Sequence, residues 1–107
     1  MAQIIWTEPA RADLDEIAEY IASDNSDAAS RLIRKILETV ERLGAYPKSG
    51  RYLPELGKGS AYREVIVGSY RVFYCLENDY VYVLHVMRGE RSLRIFLLED
   101  RKRKTNG

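Results

Sequence analysis

The amino-acid sequence predicts an α+β domain in which an N-terminal β-strand and an αα-hairpin pack on one face of a small antiparallel sheet. Two observations carry this prediction. Two consecutive segments within the first 44 residues repeat apolar residues at helical spacing, and three runs rich in β-branched and aromatic residues follow residue 61. The 107 residues suffice for one domain, which we expect to span residues 1–98, with a flexible basic tail over 99–107.

The first 44 residues predict a strand followed by two helices. A short strand over 2–6 leads to Thr7, a residue type that caps helices, and Pro9 suits a first helical turn. Gly44 supplies the stop after the second helix. Each helix has one apolar stripe, consisting of Ala10, Leu14, Ile17, Ala18 and Ile21 in the first and of Ala29, Leu32, Ile33, Ile36, Leu37, Val40 and Leu43 in the second. Together they predict a hairpin that must bury one side.

The remaining residues predict a long loop and a three-stranded meander. Residues 45–61 contain two prolines and three glycines and show no periodicity, which is typical of a loop that is functional or disordered. We expect strands over 62–67, 70–77 and 80–88. The two-residue Gly-Ser and Asn-Asp turns between them favour antiparallel pairing.

The turn lengths set the register and hence the two faces of this meander. The more aliphatic face, which we assign to the hairpin, carries Arg63, Val65, Val67, Tyr70, Val72, Tyr74, Leu76, Val81, Val83, His85 and Met87. The other face, which we assign to a partner, carries Tyr62, Glu64, Ile66, Arg71, Phe73, Cys75, Tyr80, Tyr82, Leu84, Val86 and Arg88. A one-residue bulge would reverse part of this assignment. In this register His85 is a satisfied core residue rather than a catalyst.

Charge is distributed unevenly along the chain. Residues 1–45 carry five basic and nine acidic side chains, whereas residues 46–107 carry twelve basic and seven acidic ones. Twelve of the seventeen basic residues are arginines, whose guanidinium groups bind phosphate and carboxylate in bidentate geometry. The C-terminal half is therefore either an ordinary solvated surface or a surface that faces an anionic partner.

Several classes of protein are not indicated. One cysteine, Cys75, and one histidine form no Cys/His cluster, so we expect no metal site and no cofactor. The apolar runs are shorter than a membrane span and no export signal is visible, so we expect a cytoplasmic protein without membrane contact. No glycine-rich phosphate loop and no pairing of a nucleophile with a base stand out.

Cations of the C-terminal half are the candidate target-binding residues. Arg71 lies inside the second meander strand, where it either pairs with Glu64 or clamps a phosphate or carboxylate. Arg88 and Arg91 flank the end of the third strand, either as an exposed basic turn or as a pair that converges on a ligand. Lys58, in the long loop, completes the predicted set.

The C-terminal segment permits two interpretations. An apolar cluster over 93–98 precedes four consecutive basic residues, 101–104. We favour a final strand or helical turn that packs over the open sheet face and then a frayed basic end. The alternative is a switchable segment or an electrostatic anchor to nucleic acid.

The order and spacing of these segments resemble the RelE/ParE superfamily of toxins, over about residues 4–93. The stretches that carry the resemblance are IWT (5–7), ARADLDEIAEYI (10–21), RLGAYPKSGR (42–51), REVIVGSYRVFY (63–74) and VMRGERSL (86–93). The resemblance implies a growth-inhibiting toxin of a type II toxin–antitoxin system, of the kind associated with plasmid stabilisation. It also implies a cognate antitoxin whose flexible segment wraps the toxin and blocks it.

The resemblance implies two modes of action. ParE-like members are similar to non-enzymatic poisons of DNA gyrase, whereas RelE-like members are similar to metal-independent endoribonucleases that cut messenger RNA on the ribosome. In the second mode Arg71 would serve the phosphate and Arg88 would assist as catalytic residues. The histidine and tyrosine that end the last strand of some RelE-like nucleases are absent, and Arg88 stands where ParE-like members commonly have histidine. The missing histidine and the Arg-Gly-Glu-Arg ending (88–91) lead us to favour gyrase. The alternatives are the ribonuclease and a non-toxic regulatory relative, and we expect that free toxin can form a homodimer.

Overall fold

A computed structural model describes residues 1–106, and it confirms the α+β class. The elements in chain order are strand β1 (Gln3–Trp6), helices α1 (Glu8–Ala22) and α2 (Ser26–Glu41), a 3-10 turn (Arg42–Gly44), strands β2 (Arg51–Tyr52), β3 (Tyr62–Val67), β4 (Tyr70–Glu77) and β5 (Tyr80–Arg88), and helix α3 (Ile95–Asn106). Within this part of the chain no helix has the length and apolar character needed to cross a membrane.

The five strands form one mixed sheet in the order β1-β5-β4-β3-β2. The three meander strands begin and end at the predicted residues and pair antiparallel, as their tight turns require. Strand β1 adds a parallel edge next to β5. Strand β2 lies within the segment predicted as a loop and pairs only with Arg63 and Glu64 at the opposite edge.

The helical hairpin covers one face of the sheet, as predicted. Thr7 caps α1 by accepting a hydrogen bond from the amide of Ala10 at 3.4 Å, and its hydroxyl donates to the carbonyl of Val83 at 2.7 Å. Asn25 caps α2 through the amide of Ala28 at 3.0 Å. The apolar side chains of this layer are Ala10, Leu14, Ile36, Val40, Leu43, Val67, Val72, Tyr74, Val81, Val83 and Val86. They form the main core.

A β-bulge in β5 changes the predicted faces. Tyr74 pairs with Val83, but the preceding residue, Phe73, pairs with His85. Leu84 is therefore the extra residue, and the alternation of side chains is shifted by one position beyond it. The turns give no information about a bulge in mid-strand, so the predicted register is correct only up to this point.

The shift places four residues on the faces opposite to those predicted. Val86 packs beneath the hairpin and Met87 packs in the second layer, the reverse of the prediction. His85 lies opposite Phe73 on the face away from the hairpin, so its predicted place under the helices is wrong. Arg88 pairs with Tyr70, which places Arg88 on the hairpin side instead of on the partner face.

The chain itself covers most of the second face. Leu98 from α3 and Leu53 from the loop after β2 are completely buried there. The residues of this second layer are Leu53, Tyr62, Phe73, Cys75, Leu84, Met87 and Leu98. The assignment of this whole face to a partner is thus wrong, and the preferred packing of the apolar C-terminal cluster over the sheet is confirmed.

Helix α3 continues beyond that apolar cluster. The helix extends to Asn106. Residues 99–106, which belong to the predicted flexible basic tail, are therefore helical. Near its end Asp100 pairs with Arg103 at 2.9 Å and with Lys104 at 3.1 Å, which are the short-range ion pairs that helical spacing allows. The flexibility of this tail stays a prediction, and residue 107 lies outside the described residues.

Candidate functional site

Arg71 is the centre of an ion network at the open end of the second face. It pairs across the sheet with Met87 and so points away from the hairpin. Its Nε and Nη2 donate to Glu64 at 2.5 and 3.2 Å, and its Nη1 and Nη2 donate to Glu55 at 2.7 and 2.8 Å. Its guanidinium carbon lies 4.8 Å from the centroid of the Phe73 ring. The chain's own carboxylates therefore engage all three guanidinium nitrogens.

Glu64 is the buried anchor of this network. Its side chain is 0% exposed, and it accepts hydrogen bonds from Arg71 on the neighbouring strand and, at 2.8 Å, from Nε of Arg51 at the sheet edge. A buried carboxylate needs such cations, because its desolvation is otherwise very costly. The pairing of Arg71 with Glu64, one of two alternatives for this arginine, is confirmed.

Glu55 supplies the second carboxylate from the loop that follows β2. Sequence reasoning missed it, because the loop has no periodicity and the contact spans 16 residues. The hydrogen bond from Arg71 lowers the pKa of Glu55. In return, Glu55 and Glu64 raise the pKa of Arg71, so the guanidinium stays charged. The network is a set of fixed, alternating charges.

A shallow cavity of about 420 Å³ opens beside this network. Arg51, Glu55 and Arg71 form its charged wall, and Pro54, Ile66 and Tyr70 contribute apolar surface. Glu90 approaches from the turn that follows β5. No three His, Cys, Asp or Glu side chains among the described residues come together as metal ligands. The cavity combines a guanidinium fork with a short apolar wall.

The other predicted cations do not converge with Arg71. Arg88 lies on the opposite face, its side chain is 42% exposed, and its Nη2 contacts Glu90 at 2.8 Å. The prediction that Arg71 and Arg88 lie on the same face is therefore wrong, and the bulge in β5 is the reason, whereas the binding of a target by either residue stays a prediction. Arg91 and Lys58 are exposed, and neither forms an ion pair within the part of the chain that the structure describes.

A second polar cluster, formed by Asp13, His85 and Arg101, supplies hydrogen-bond partners to backbone groups at the edge of β5. Strand β1 ends opposite Val83, so the next residues of β5 have no strand neighbour on that side. Asp13 of α1 accepts from the amide of Val86 at 3.1 Å, and Arg101 of α3 donates to the carbonyl of Leu84 at 2.9 Å. Asp13 and Arg101 also pair with each other at 2.6 Å. The side chains of Asp13 and Arg101 thus make the hydrogen bonds that a neighbouring strand would otherwise make. Their ion pair also links α1 to α3.

His85 belongs to this second cluster. Its Nδ1 lies 2.6 Å from the carboxylate of Asp13, and its ring stacks on Phe73 with centroids 5.6 Å apart. The same nitrogen lies 2.9 Å from Nη1 of Arg101, so Nδ1 is enclosed between the carboxylate of Asp13 and the guanidinium of Arg101. His85 is satisfied, as predicted, but it lies on the face of the sheet opposite to the predicted one. Asp13 and Arg101 were missed, since their segments read as a helix start and a solvated tail.

We expect the charge of Asp13 to make stability depend on pH. Burial opposes the charged form, but hydrogen bonds from His85, Arg101 and the Val86 amide outweigh it and lower the pKa of Asp13 below 3.8. Such a group stabilises the fold above its unfolded pKa, and this stabilisation is lost as the pH falls through the folded value. Asp13→Asn should therefore reduce the free energy of unfolding by about 2 kcal/mol at neutral pH.

Urea unfolding between about pH 2 and 7 tests this expectation. The difference between the wild type and Asp13→Asn should shrink as the pH falls below 3.8, the ordinary value for this carboxyl. Asp15→Asn, which removes an exposed carboxyl from the same helix, is the control and should track the wild type. A difference for Asp13→Asn that does not change with pH would contradict this role of the charge.

Comparison with known proteins places these features in a family. The family model described as the ParE toxin of the type II toxin–antitoxin system parDE matches residues 4–93. The chain belongs to the ParE toxin family. The resemblance to RelE/ParE toxins is thereby confirmed, and this ParE-family protein is the toxin of a type II system whose partner is an antitoxin.

Relatives of this ParE-family toxin agree with that assignment. The putative toxin Y4kP of Sinorhizobium fredii is 36% identical over 84% of this chain and 91% of its own length. Toxin RelE2 of Caulobacter vibrioides is 30% identical, with 85% of this chain and 99% of RelE2 covered. Toxin ParE3 of the same organism is also 30% identical, with 87% of this chain and 92% of ParE3 covered.

A solved structure supports the fold. A chain of the chromosomal ParDE system from P. aeruginosa superimposes with a TM-score of 0.68 at 23% identity, covering 84% of this chain and 98% of that one. The α+β architecture described above is therefore that of an experimentally determined member of a ParDE system.

Proposed function

We propose that this ParE-family toxin arrests growth by binding DNA gyrase rather than by cutting RNA. The observation that carries the proposal is that the groups best suited to catalysis are engaged internally. Backbone cleavage of RNA needs a base for the 2′-hydroxyl, an acid for the leaving oxygen and cations for the phosphorane. Arg71 is held by Glu55 and Glu64, and His85 is held by Asp13. A toxin that acts by binding alone needs only an accessible surface, which the exposed cations Arg88, Arg91 and Lys58 can provide.

We assign the contact with gyrase to the exposed cations Arg88, Arg91 and Lys58. These cations are accessible to a target, since the side chain of Arg88 is 42% exposed and its ion-pair partner, Glu90, is 68% exposed. Weak, solvent-screened pairs of this kind break at little cost when a target binds. Arg71 is then a positioning group that holds the loop carrying Lys58, through Glu55. The proposed site of action is the cytoplasm, where gyrase and DNA are found.

The matched family model and one of the three toxins named above support this choice. The family model and ParE3 bear the ParE name, and the structural match is to a ParDE system. Arg88 also stands at the end of β5, where the RelE-like histidine and tyrosine are lacking.

Replacing two of these exposed arginines tests the proposal. We expect Arg88→Ala/Arg91→Ala to raise the toxin concentration needed to inhibit supercoiling by purified gyrase by about tenfold, because arginine is enriched among the interface residues whose loss is costly and a joint loss of about 1.4 kcal/mol corresponds to a factor of ten. Arg31→Ala/Arg34→Ala removes the same charge from exposed positions of α2 and is the matched control. Failure of the wild-type toxin to inhibit gyrase, or an equal loss in the control, would refute the proposal.

Ribosome-dependent cleavage of messenger RNA is the second candidate. It is favoured by the 30% identity with toxin RelE2, which extends over 99% of that protein. In this case transcript cleavage in a translating extract should be abolished by Arg71→Lys, which keeps the charge but removes the planar fork. The gyrase proposal instead predicts no toxin-dependent cleavage in the same extract.

A further inference from the structure

The two carboxylates that hold Arg71 differ in accessibility. The side chain of Glu64 is 0% exposed and lies on a central strand, whereas that of Glu55 is 34% exposed and lies in a loop. Glu64 is therefore a permanent counterion. Glu55 occupies the outer side of the guanidinium, facing the open cavity, with one oxygen on each Nη atom.

The loop that carries Glu55 has little to fix it except this contact. Leu53 is fully buried and anchors its start, but residues 54–59 are all exposed. Two of them, Gly57 and Gly59, have φ values of 71° and 90°, in the region that favours glycine. The backbone bonds in this stretch join Leu56 and Gly57 to Leu53, within the loop itself. Among the described residues, the side-chain hydrogen bonds that join residues 54–59 to the sheet are those between Glu55 and Arg71.

We propose that Arg71 and its cavity form a carboxylate-binding site in which Glu55 is an internal ligand that an acidic side chain of the antitoxin displaces. The outer edge of the guanidinium, Nη1 and Nη2, already holds a planar carboxylate in fork geometry. The inference rests on membership of the toxin–antitoxin family and not on the choice of gyrase as target.

Charge favours a carboxylate over a nucleic-acid phosphate as the external ligand. Two arginines, Arg51 and Arg71, face this site together with Glu55 and the buried Glu64, and Glu90 lies at the rim. Exchange of the Glu55 carboxylate for an external one leaves the number of negative charges in contact with Arg71 unchanged. A nucleic-acid backbone would instead bring several further negative charges towards Glu64 and Glu90, which would repel them.

The apolar part of the cavity adds a second feature of the ligand. Ile66 is 47% exposed and lines the cavity together with Pro54 and Tyr70. An acidic residue flanked by aliphatic ones can cover this surface while its carboxylate occupies the fork. The expected external ligand is thus a short acidic peptide segment with aliphatic neighbours.

Removal of the internal ligand should strengthen binding of the external one. A group tethered by a short loop competes at an effective concentration of about millimolar or above. We therefore expect Glu55→Gln to bind the peptide acetyl-Ala-Leu-Glu-Leu-Ala-amide about tenfold more tightly than the wild type. Binding is measured by isothermal titration or by amide chemical shifts, and the peptide with Gln in place of Glu should bind neither protein measurably.

Three further measurements make the result decisive. Glu90→Gln removes a carboxylate from the rim of the same cavity that does not touch Arg71, so it should strengthen peptide binding far less than Glu55→Gln does. The double variant Arg71→Gln/Glu64→Gln removes the buried pair as a neutral unit and should abolish binding in the Glu55→Gln background. Inorganic phosphate, titrated under the same conditions, should bind Glu55→Gln more weakly than the peptide.

Distinct results overturn the inference. Equal peptide affinity of folded Glu55→Gln and the wild type would show that Glu55 does not compete. An equal gain in Glu90→Gln would show only a general charge effect, and tighter binding of phosphate would assign the site to nucleic acid. Because none of these titrations includes gyrase, their failure leaves the proposed target untouched, and the supercoiling assay fails or succeeds independently.

Discussion

Replacement of Glu64 by alanine is expected to lower the free energy of unfolding by about 3–5 kcal/mol, a large share of the total stability of a small domain. Glu64 is the fully buried partner of Arg71 and also binds Arg51. Without it, the guanidinium of Arg71, whose side chain is 10% exposed, keeps only Glu55, whose side chain is 34% exposed. The charge then remains buried with incomplete pairing. The measurement is urea unfolding monitored by circular dichroism.

Two further variants distinguish the loss of one charge of the Arg71–Glu64 pair from the loss of both charges and from the loss of Glu55. Glu64→Leu/Arg71→Met removes both charges and should be far more stable than Glu64→Ala, because apolar residues of similar volume replace a buried pair at little cost. Glu55→Gln should change stability by less than about 1 kcal/mol, because that carboxylate is partly in water. A loss below about 1 kcal/mol for Glu64→Ala would mean that the network does not hold the sheet together.

Gly50→Ala is expected to cost about 3 kcal/mol through a clash with the main core. A Cβ at this position would lie 2.6 Å from Cε1 of Tyr74 and 2.8 Å from the carbonyl oxygen of Glu64, and nearer still to the Tyr74 hydroxyl. That hydroxyl accepts from the Gly50 amide at 3.0 Å and donates to the Pro47 carbonyl at 2.7 Å. Tyr74 is fully buried, so it cannot move aside without disturbing its neighbours.

A double-mutant cycle with Tyr74→Phe tests this clash. Tyr74→Phe alone should lose about 1–2 kcal/mol, because the Gly50 amide and the Pro47 carbonyl lose their shared partner. Gly50→Ala should then cost less in the Tyr74→Phe background than in the wild type, since the nearest atom has been removed. Strictly additive losses in thermal or urea unfolding would contradict the proposed contact.

The sequence predicted the fold well where local rules decide it. Two-residue turns and alternating residues gave the bounds of β3, β4 and β5, and apolar stripes gave the hairpin. The pairing of β1 with β5 and the bulge at Leu84 depend on contacts between distant residues, which no local pattern specifies. The bulge alone accounts for the wrong faces of His85 and Arg88.

The candidate site was predicted only in part for a related reason. Arg71 and Glu64 lie on adjacent strands, so the register predicted from the turns already places them on the same face. Glu55 and Arg101 lie in segments without a recognisable period, and Arg101 reaches Asp13 across 88 residues. The helical spacing of Leu98 and Arg101 was a usable signal, because residues three apart share one face of a helix.

The central claim, that this toxin acts by binding gyrase without cutting RNA, is tested most directly in cells immediately after its expression is induced. Sequencing of DNA ends that carry covalently attached gyrase, together with mapping of transcript 5′ ends, reads out both modes in one culture. We predict an accumulation of gyrase-linked DNA ends and transcript ends that match those of uninduced cells. New transcript ends within translated codons, without gyrase-linked DNA breaks, would contradict the claim.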